Sequence, residues 1–549
     1  MKSQRLFGIL VALSLAASPG CHQGGSSGKG TDGGDTDSET GTAPQSWDEA
    51  TLLSASAPTE TEVELSFAGS LPLAAGEAES YAISSDLGEI EVQSAAVQSD
   101  STTVTLTTAE QKLGAECTVQ VVEGDQAVEG LEAGFTAADT ARFWIADFAS
   151  AIYEKYEIVA ERAAVGESCV VYIEQGWQHE GAQEAADRFD TQIYPVMTDL
   201  FIAPPDQDGN GRITLLGVDG EEYFGGYFDP TDAYPEEQTM AWWNIHSNEM
   251  EIVYINVAMG YFDSETVVPH EFQHLLYHER HGFQDPYWEY HDEGLAESAV
   301  RAVNGYHPWA VDYYFADSQG LIGAGLSLVN WTYAQYENYV LAYLFWNYVG
   351  SRLEGVETFG AVFDLPTGAP DEVDAFLTAQ LGEGFGGVQR DQLAASWIRA
   401  AQGRYGYGEM ISNFPGDKPP RVEPGTSSVD LEPFAGTFFE LEVDQVEMPT
   451  SAGQHVTYLG IDAAGEVDLT DPYDVAGGAL LVYNANLEWE QFLPEHSGPD
   501  LPASGGWKGS PPLLGEVPPT WLDPPPYNPY APERMQAWKT ATAERLSAR

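Results

Sequence analysis

The stretch VPHEFQHLLYHERHG, residues 268–282, holds four of the chain's 11 histidines and two glutamates. The positions of its apolar residues predict a helix. On a helix, residues four apart share a face. His270 and His274 therefore stand side by side as a pair of imidazoles for one metal ion. Glu271 is one position on, about 100° round the axis, near enough to handle a water on that metal. Phe272 and Leu275 fall on other faces and suit a core. Arg280 and His281 in the last turn, with Gly282 beyond, make a helix end. Pro269 fits if the first turn lies there; otherwise it kinks the helix. The competing reading is a solvated helix that happens to be rich in histidine.

A catalytic zinc needs three protein ligands and one open position, so the outcome turns on a residue outside this helix. YWEYHDEGLAESA, residues 287–299, predicts a second helix. It carries Glu293, nineteen positions beyond His274, and Glu297 one turn further on the same face. Glu293 is a candidate third ligand. Glu297 is a candidate to hydrogen-bond a ligating histidine from behind. His281 and His291 are rivals by proximity. His278 continues the ladder, but three histidines in line on one straight helix cannot all reach one tetrahedral ion. The metzincin pattern needs a glycine and then a histidine where Tyr277 and Arg280 stand, which excludes that class.

A chain of 549 residues is too long for one domain. Residues 58–139 read as short alternating strands split by turns, the pattern of an immunoglobulin-like β-sandwich. Residues 140–405 run from strands such as CVVYIEQ and EIVYINVAM to helices that include the opening stretch and ENYVLAYLFWNYVGSRL. That order predicts an α+β metallopeptidase-like body. Residues 406–430 form a linker by composition, and 431–495 a small C-terminal β domain. Residues 496–549 are a proline-rich segment closed by a short helix. The fold class is thus multidomain: an α+β metallopeptidase-like domain flanked by two β modules.

The 22 basic and 86 acidic residues give a net charge of −64, which repels nucleic acid and anionic membranes. A strongly solvated surface suited to salty surroundings accounts for it. Residues 1–21 have Lys2 and Arg5, an apolar run from Leu6 to Ala17, and small residues before Cys21. This is the form of a secretory signal, and Cys21 is placed as the lipid-carrying residue of a bacterial lipoprotein. Residues 22–57 are a Gly/Ser/Asp/Thr tether that cannot bury a core. Cys117 and Cys169 are either a disulfide pair or two buried thiols. In DQDGNG, Asp206, Asp208 and Asn210 match the first half of a calcium loop, but Gly217 stands where its bidentate glutamate belongs. A tight turn explains the same residues.

HEFQH followed by EGLAE resembles the glutamate zincins. Within them the chain is similar to the hyicolysin family of bacterial secreted zinc metallopeptidases. DQDGNGRITLLGVD (206–219), GGYFDPTD (225–232), NEMEIVYINV (248–257) and YENYVLAYLFWNYVG (336–350) agree in order and spacing. The resemblance covers roughly residues 140–405. It implies zinc on His270, His274 and Glu293, with Glu271 as the catalytic base. Tyr339, Tyr336 and His291 are candidates to stabilise the oxyanion.

The expectation is a secreted or lipid-anchored zinc endopeptidase of a bacterial cell envelope, taken as a monomer, that cleaves peptide bonds with a zinc-activated water. Its partners are protein or peptide substrates, and its lipid is its one membrane contact. The alternative is a surface adhesion lipoprotein on an inactive peptidase scaffold. The intact Glu271 argues against it, although both β modules suit a binding role.

Overall fold

The computed structural model describes residues 46–486, apart from residues 125, 149–153, 178–180, 221–224, 259–261, 263, 285, 332–335, 424, 425, 427 and 448–454. The signal with Cys21, most of the tether, the proline-rich segment and the terminal helix lie outside the described residues.

Eight strands form the N-terminal module: β1 (Thr51–Thr59), β2 (Glu62–Ala68), β3 (Tyr81–Ser85), β4 (Gly88–Ile90), β5 (Val92–Val97), β6 (Thr103–Thr108), β7 (Glu116–Glu123) and β8 (Gln126–Thr136). They make two antiparallel sheets, ordered β1-β2-β6-β5 and β4-β3-β7-β8. Alternate residues point inward: Val63, Leu65 and Phe67 from β2 meet Cys117, Val119 and Val121 from β7 around Trp47. The first strand begins at Thr51, ahead of residue 58. Its alternation is weak: Leu53 is 62% exposed, Pro58 sits near its end, and its register against β2 shifts twice.

The central body is built on a six-stranded sheet of β9 (Thr140–Ala146), β10 (Lys155–Val165), β11 (Cys169–Glu174), β12 (Ile213–Val218), β13 (Gly226–Tyr227) and β14 (Ile252–Asn256), ordered β13-β14-β12-β11-β10-β9. Strands β11, β12 and β14 run parallel, and the flanking strands are antiparallel. A parallel sheet covered on both faces wants unbroken apolar runs. CVVYIE, ITLLGV and IVYIN supply them. Val171, Leu215 and Val253 face a core shared with the helices. Tyr172, Leu216 and Tyr254 face the other way, against Phe143 and Ile145.

AADRFDTQIYPVMTDLFI, residues 185–202, has helical spacing of its apolar residues, and the helix that it lies on divides in three. A π-turn at Phe189–Ile193 separates α1 (Ala182–Arg188) from α2 (Tyr194–Leu200). Pro195 has no N–H to donate, and its ring crowds the carbonyl one turn back. A wider turn before it relieves both effects.

Beyond α3 (Glu236–Trp243), the opening stretch becomes α4 (Val267–His281). Pro269 lies in its first turn, where no intrahelical partner is needed. Gly282 closes it at φ 63°, its N–H on the carbonyl of His278. Next come α5 (Glu289–Asn304), α6 (Ala310–Ala316), α7 (Tyr336–Arg352), α8 (Glu357–Phe363), α9 (Pro370–Leu381) and α10 (Phe385–Ile398). Phe272, Leu275 and Leu276 of α4 join Leu295 and Ala299 of α5 and most of α7 in one core.

The C-terminal module comprises β15 (Gly436–Phe439), β16 (Gln445–Val446), β17 (Val456–Ile461), β18 (Val467–Asp468), β19 (Tyr473–Asp474) and β20 (Ala479–Asn484). Its main sheet, β15-β20-β17-β18, packs Phe438, Leu481 and Tyr483 on Leu393 and Ala394 of α10. Cys117 and Cys169 are buried free thiols. Among the described residues, no helix is long and apolar enough to cross a membrane.

Candidate metal centre

His270 and His274 stand one turn apart on α4 with their Nε2 atoms 3.1 Å apart. Glu293 of α5 brings Oε2 to 3.2 Å from each of them. Three atoms of two residue types, from two helices, thus form a nearly equilateral triangle. A tetrahedral zinc with bonds of about 2.0 Å sets its ligand atoms about 3.3 Å apart. The donor set fits that ion in chemistry and in spacing. Glu271 also reaches the centre, with a carboxylate oxygen within 4.8 Å of ligand atoms on both histidines. The closer carboxylate is Glu293, which leaves Glu271 beside the triangle.

Each histidine is met from behind by a different carboxylate of α5. Asp292 Oδ2 lies 3.1 Å from Nδ1 of His274, and Glu297 Oε1 lies 3.5 Å from Nδ1 of His270. Asp292 in turn accepts from the hydroxyl of Tyr287. Helix geometry explains this division. Asp292 and Glu293 are neighbours and point about 100° apart, while Glu297 lies one turn beyond Glu293. One helix laid across α4 thereby meets the two rings from both sides. Asp292 has no place in the sequence reading, yet its adjacency to Glu293 is a usable signal.

The charge balance matches a cation site. Burial alone pushes the carboxyl of Glu293 up, but His274 and His270 outweigh it and hold it well below the usual carboxylate range. Burial lowers His274, yet Asp292 and Glu293 carry it well above the usual imidazole value. The carboxylates of α5 draw positive charge to this point, and a divalent ion supplies it without a proton.

Tyr339 of α7 donates to Glu293 Oε1 at 3.1 Å and is 5% exposed. Tyr336 is fully buried, its ring against Trp309, Tyr313 and Tyr339. His291 corrects an expectation. Its ring is fully buried, with Nε2 3.0 Å from the carbonyl of Val362 and Nδ1 2.9 Å from Tyr277 Oη. A carbonyl only accepts, so Nε2 carries the proton, Tyr277 donates to Nδ1, and no donor is left for an oxyanion. His278 and His281 tether neighbouring segments, with Nε2 atoms 3.2 Å from Tyr234 Oη and 2.8 Å from the carbonyl of Phe363.

The edge strand β13 runs close to Glu271. A Cβ on Gly226 would sit 2.2 Å from Val267 Cγ1, 2.7 Å from the Tyr254 carbonyl and 3.1 Å from Glu271 Cγ. Glycine is what lets this edge lie against α4. The loop after it is pinned by a buried Lys155, whose Nζ is 2.8 Å from Asp229 and 2.9 Å from Asp232.

At the acidic loop, Asp206 and Asp208 gather with Glu251. Asn210 lies in the same turn. Its side-chain amide donates to Asp208 and its carbonyl accepts from the N–H of Arg212, so it closes the turn. Glu251 precedes β14 and is remote in sequence, which hid it.

No family model matches the chain. It is 24% identical over 306 residues to Neutral metalloprotease ShpI of Staphylococcus hyicus, a match that covers 51% of this chain and 67% of that protein. Among solved structures, a two-domain M1 zinc metallopeptidase matches 61% of this chain and 92% of its own, at 10% identity and a TM-score of 0.26. The N-terminal part of the S-layer protein SbsC matches 24% of this chain, at 17% identity and a TM-score of 0.17. The chain spans about a third of that last structure (34%).

Proposed function

We propose that this chain is a zinc-dependent endopeptidase that acts outside the cytoplasm. The observation that carries the reading is the triangle of His270, His274 and Glu293 with Glu271 beside it. The sequence similarity to a neutral metalloprotease supports it. Zinc bound by those three residues would polarise a peptide carbonyl and lower the pKa of a water to about 7. Glu271, 4% exposed, takes the proton of the attacking water and delivers it to the leaving amine. Tyr339 turns its hydroxyl from Glu293 to the developing oxyanion. Asp292 and Glu297 hold the two imidazoles with Nε2 directed inward.

The N-terminal pattern up to Cys21 supports export and a lipid anchor on the cell envelope; the proposal further takes protein or peptide substrates and a single chain as the working unit. For the acidic loop the proposal is calcium on Asp206, Asp208 and Glu251, in place of Asn210.

The test is metal analysis and casein cleavage by wild type and Glu271→Gln. About one zinc per chain is expected in both. The variant should cleave about 10²–10⁴-fold more slowly. Wild-type protein without zinc, or one that cleaves no faster than the variant, sinks the reading and favours an adhesive scaffold.

A further inference from the structure

His307 lies between α5 and α6, in a segment that no part of the chemistry above uses. Its ring is buried, packed edge-on to Trp309 at 4.4 Å and Tyr343 at 5.1 Å. Its two nitrogens do different things. Nδ1 receives backbone N–H groups, from Ala310 at 3.2 Å and Trp309 at 3.5 Å, where α6 begins. An N–H can only donate, so Nδ1 holds a lone pair and the proton sits on Nε2. That proton points at Glu297 Oε2, 2.6 Å away. The other oxygen of Glu297 faces Nδ1 of His270. A chain of groups therefore runs from the start of α6 through His307 and Glu297 to the outer nitrogen of a candidate zinc ligand.

We propose that His307 is a positioning residue for zinc binding. It donates from Nε2 to Glu297 and so keeps the other carboxylate oxygen turned to His270. This holds the proton of His270 on Nδ1 and leaves its Nε2 lone pair for the metal. The backbone bonds at Nδ1 fix the tautomer of His307 that can do so. The inference rests on the zinc reading above.

The two jobs of the ring separate by substitution. In His307→Gln, the amide nitrogen takes the place of Nε2 and keeps the donor to Glu297, while the bond to α6 is lost. In His307→Asn, the amide oxygen takes the place of Nδ1 and keeps the bond to Ala310, while the donor is lost. The measurement is zinc affinity of the full chain, by competition with a chromogenic chelator, alongside thermal melting of the zinc-free proteins. His307→Asn should bind zinc about 10–100-fold more weakly than wild type, the usual loss for an outer partner of a ligand. His307→Gln should stay near the wild-type affinity, even though its zinc-free form melts lower. Wild-type affinity in His307→Asn, or equal losses in both variants in step with melting, overturns the proposal. If the wild-type chain takes up no zinc, the parent reading fails as well, so the two failures are distinct.

Discussion

Asp292 holds Nδ1 of His274 from behind while its neighbour Glu293 meets Nε2 of the same ring from the front. The ring is thus gripped at both nitrogens by consecutive residues of α5. Removing the rear contact frees the ring to tilt and leaves its tautomer unfixed. Asp292→Ala should weaken zinc binding about 10–100-fold, read by chelator competition, and Asp292→Asn, which keeps an acceptor, should lose less. Unchanged affinity in Asp292→Ala would show that packing alone sets the ring.

Tyr339 tests the oxyanion assignment. Its hydroxyl meets Glu293 in the resting site. If it turns to the substrate in the transition state, Tyr339→Phe should lower kcat about 10²–10³-fold and leave KM and zinc affinity nearly unchanged. Lost zinc with a proportionate loss of activity would instead make Tyr339 a support for Glu293.

Gly226 is the contact between the sheet edge and the helix that carries Glu271. A methyl group there would meet Val267, the Tyr254 carbonyl and Glu271 at under 3.2 Å. Gly226→Ala should cost about 1–3 kcal/mol of stability in a urea titration, as overpacking does. It should also lower casein cleavage. A variant as stable and active as wild type would mean that β13 lifts away freely.

The acidic loop gives a pH dependence. Burial, with Asp208 nearby, pushes the carboxyl of Glu251 up to about 7 against the N–H of Gln207, and burial raises Asp208 to about 6. The folded chain thus holds these protons more tightly than the unfolded chain, whose glutamate titrates near 4.5. Stability from this pair is full at low pH and is lost as pH rises, from 3.8 to about 6 for Asp208 and from 4.5 to about 7 for Glu251, by up to about 1.4 kcal/mol per pH unit for each proton. Glu251→Gln should flatten that slope. Calcium would supply the missing charge, so it should raise the melting temperature at pH 8 and barely at pH 5. Melts that calcium leaves unmoved at both values remove it from the site.

Much of the helical half of the centre is legible in the amino-acid sequence. His270 and His274 pair because a helix repeats every 3.6 residues, and Pro269 and Gly282 mark where that helix can begin and end. The buried strands are legible as apolar runs. The start of β1 at Thr51 is not, because bulges and an exposed Leu53 break its alternation. The π-turn at Phe189–Ile193 is also unread, since Pro195 interrupts a pattern that otherwise has helical spacing.

Sequence by itself therefore determined the local part: which residues share a face, and that Glu293 and Glu297 share theirs one turn apart. Those are properties of a single helix and its period. Which of His278, His281, His291 and Glu293 lies beside Nε2 of both His270 and His274 was decided by tertiary structure, because it depends on how α5 lies across α4. The same packing recruited Asp292 behind His274, buried His291 against Val362, and brought His307 back to Glu297 from beyond the end of α5. Such contacts join positions whose spacing in the chain carries no period, so no pattern along the sequence announces them.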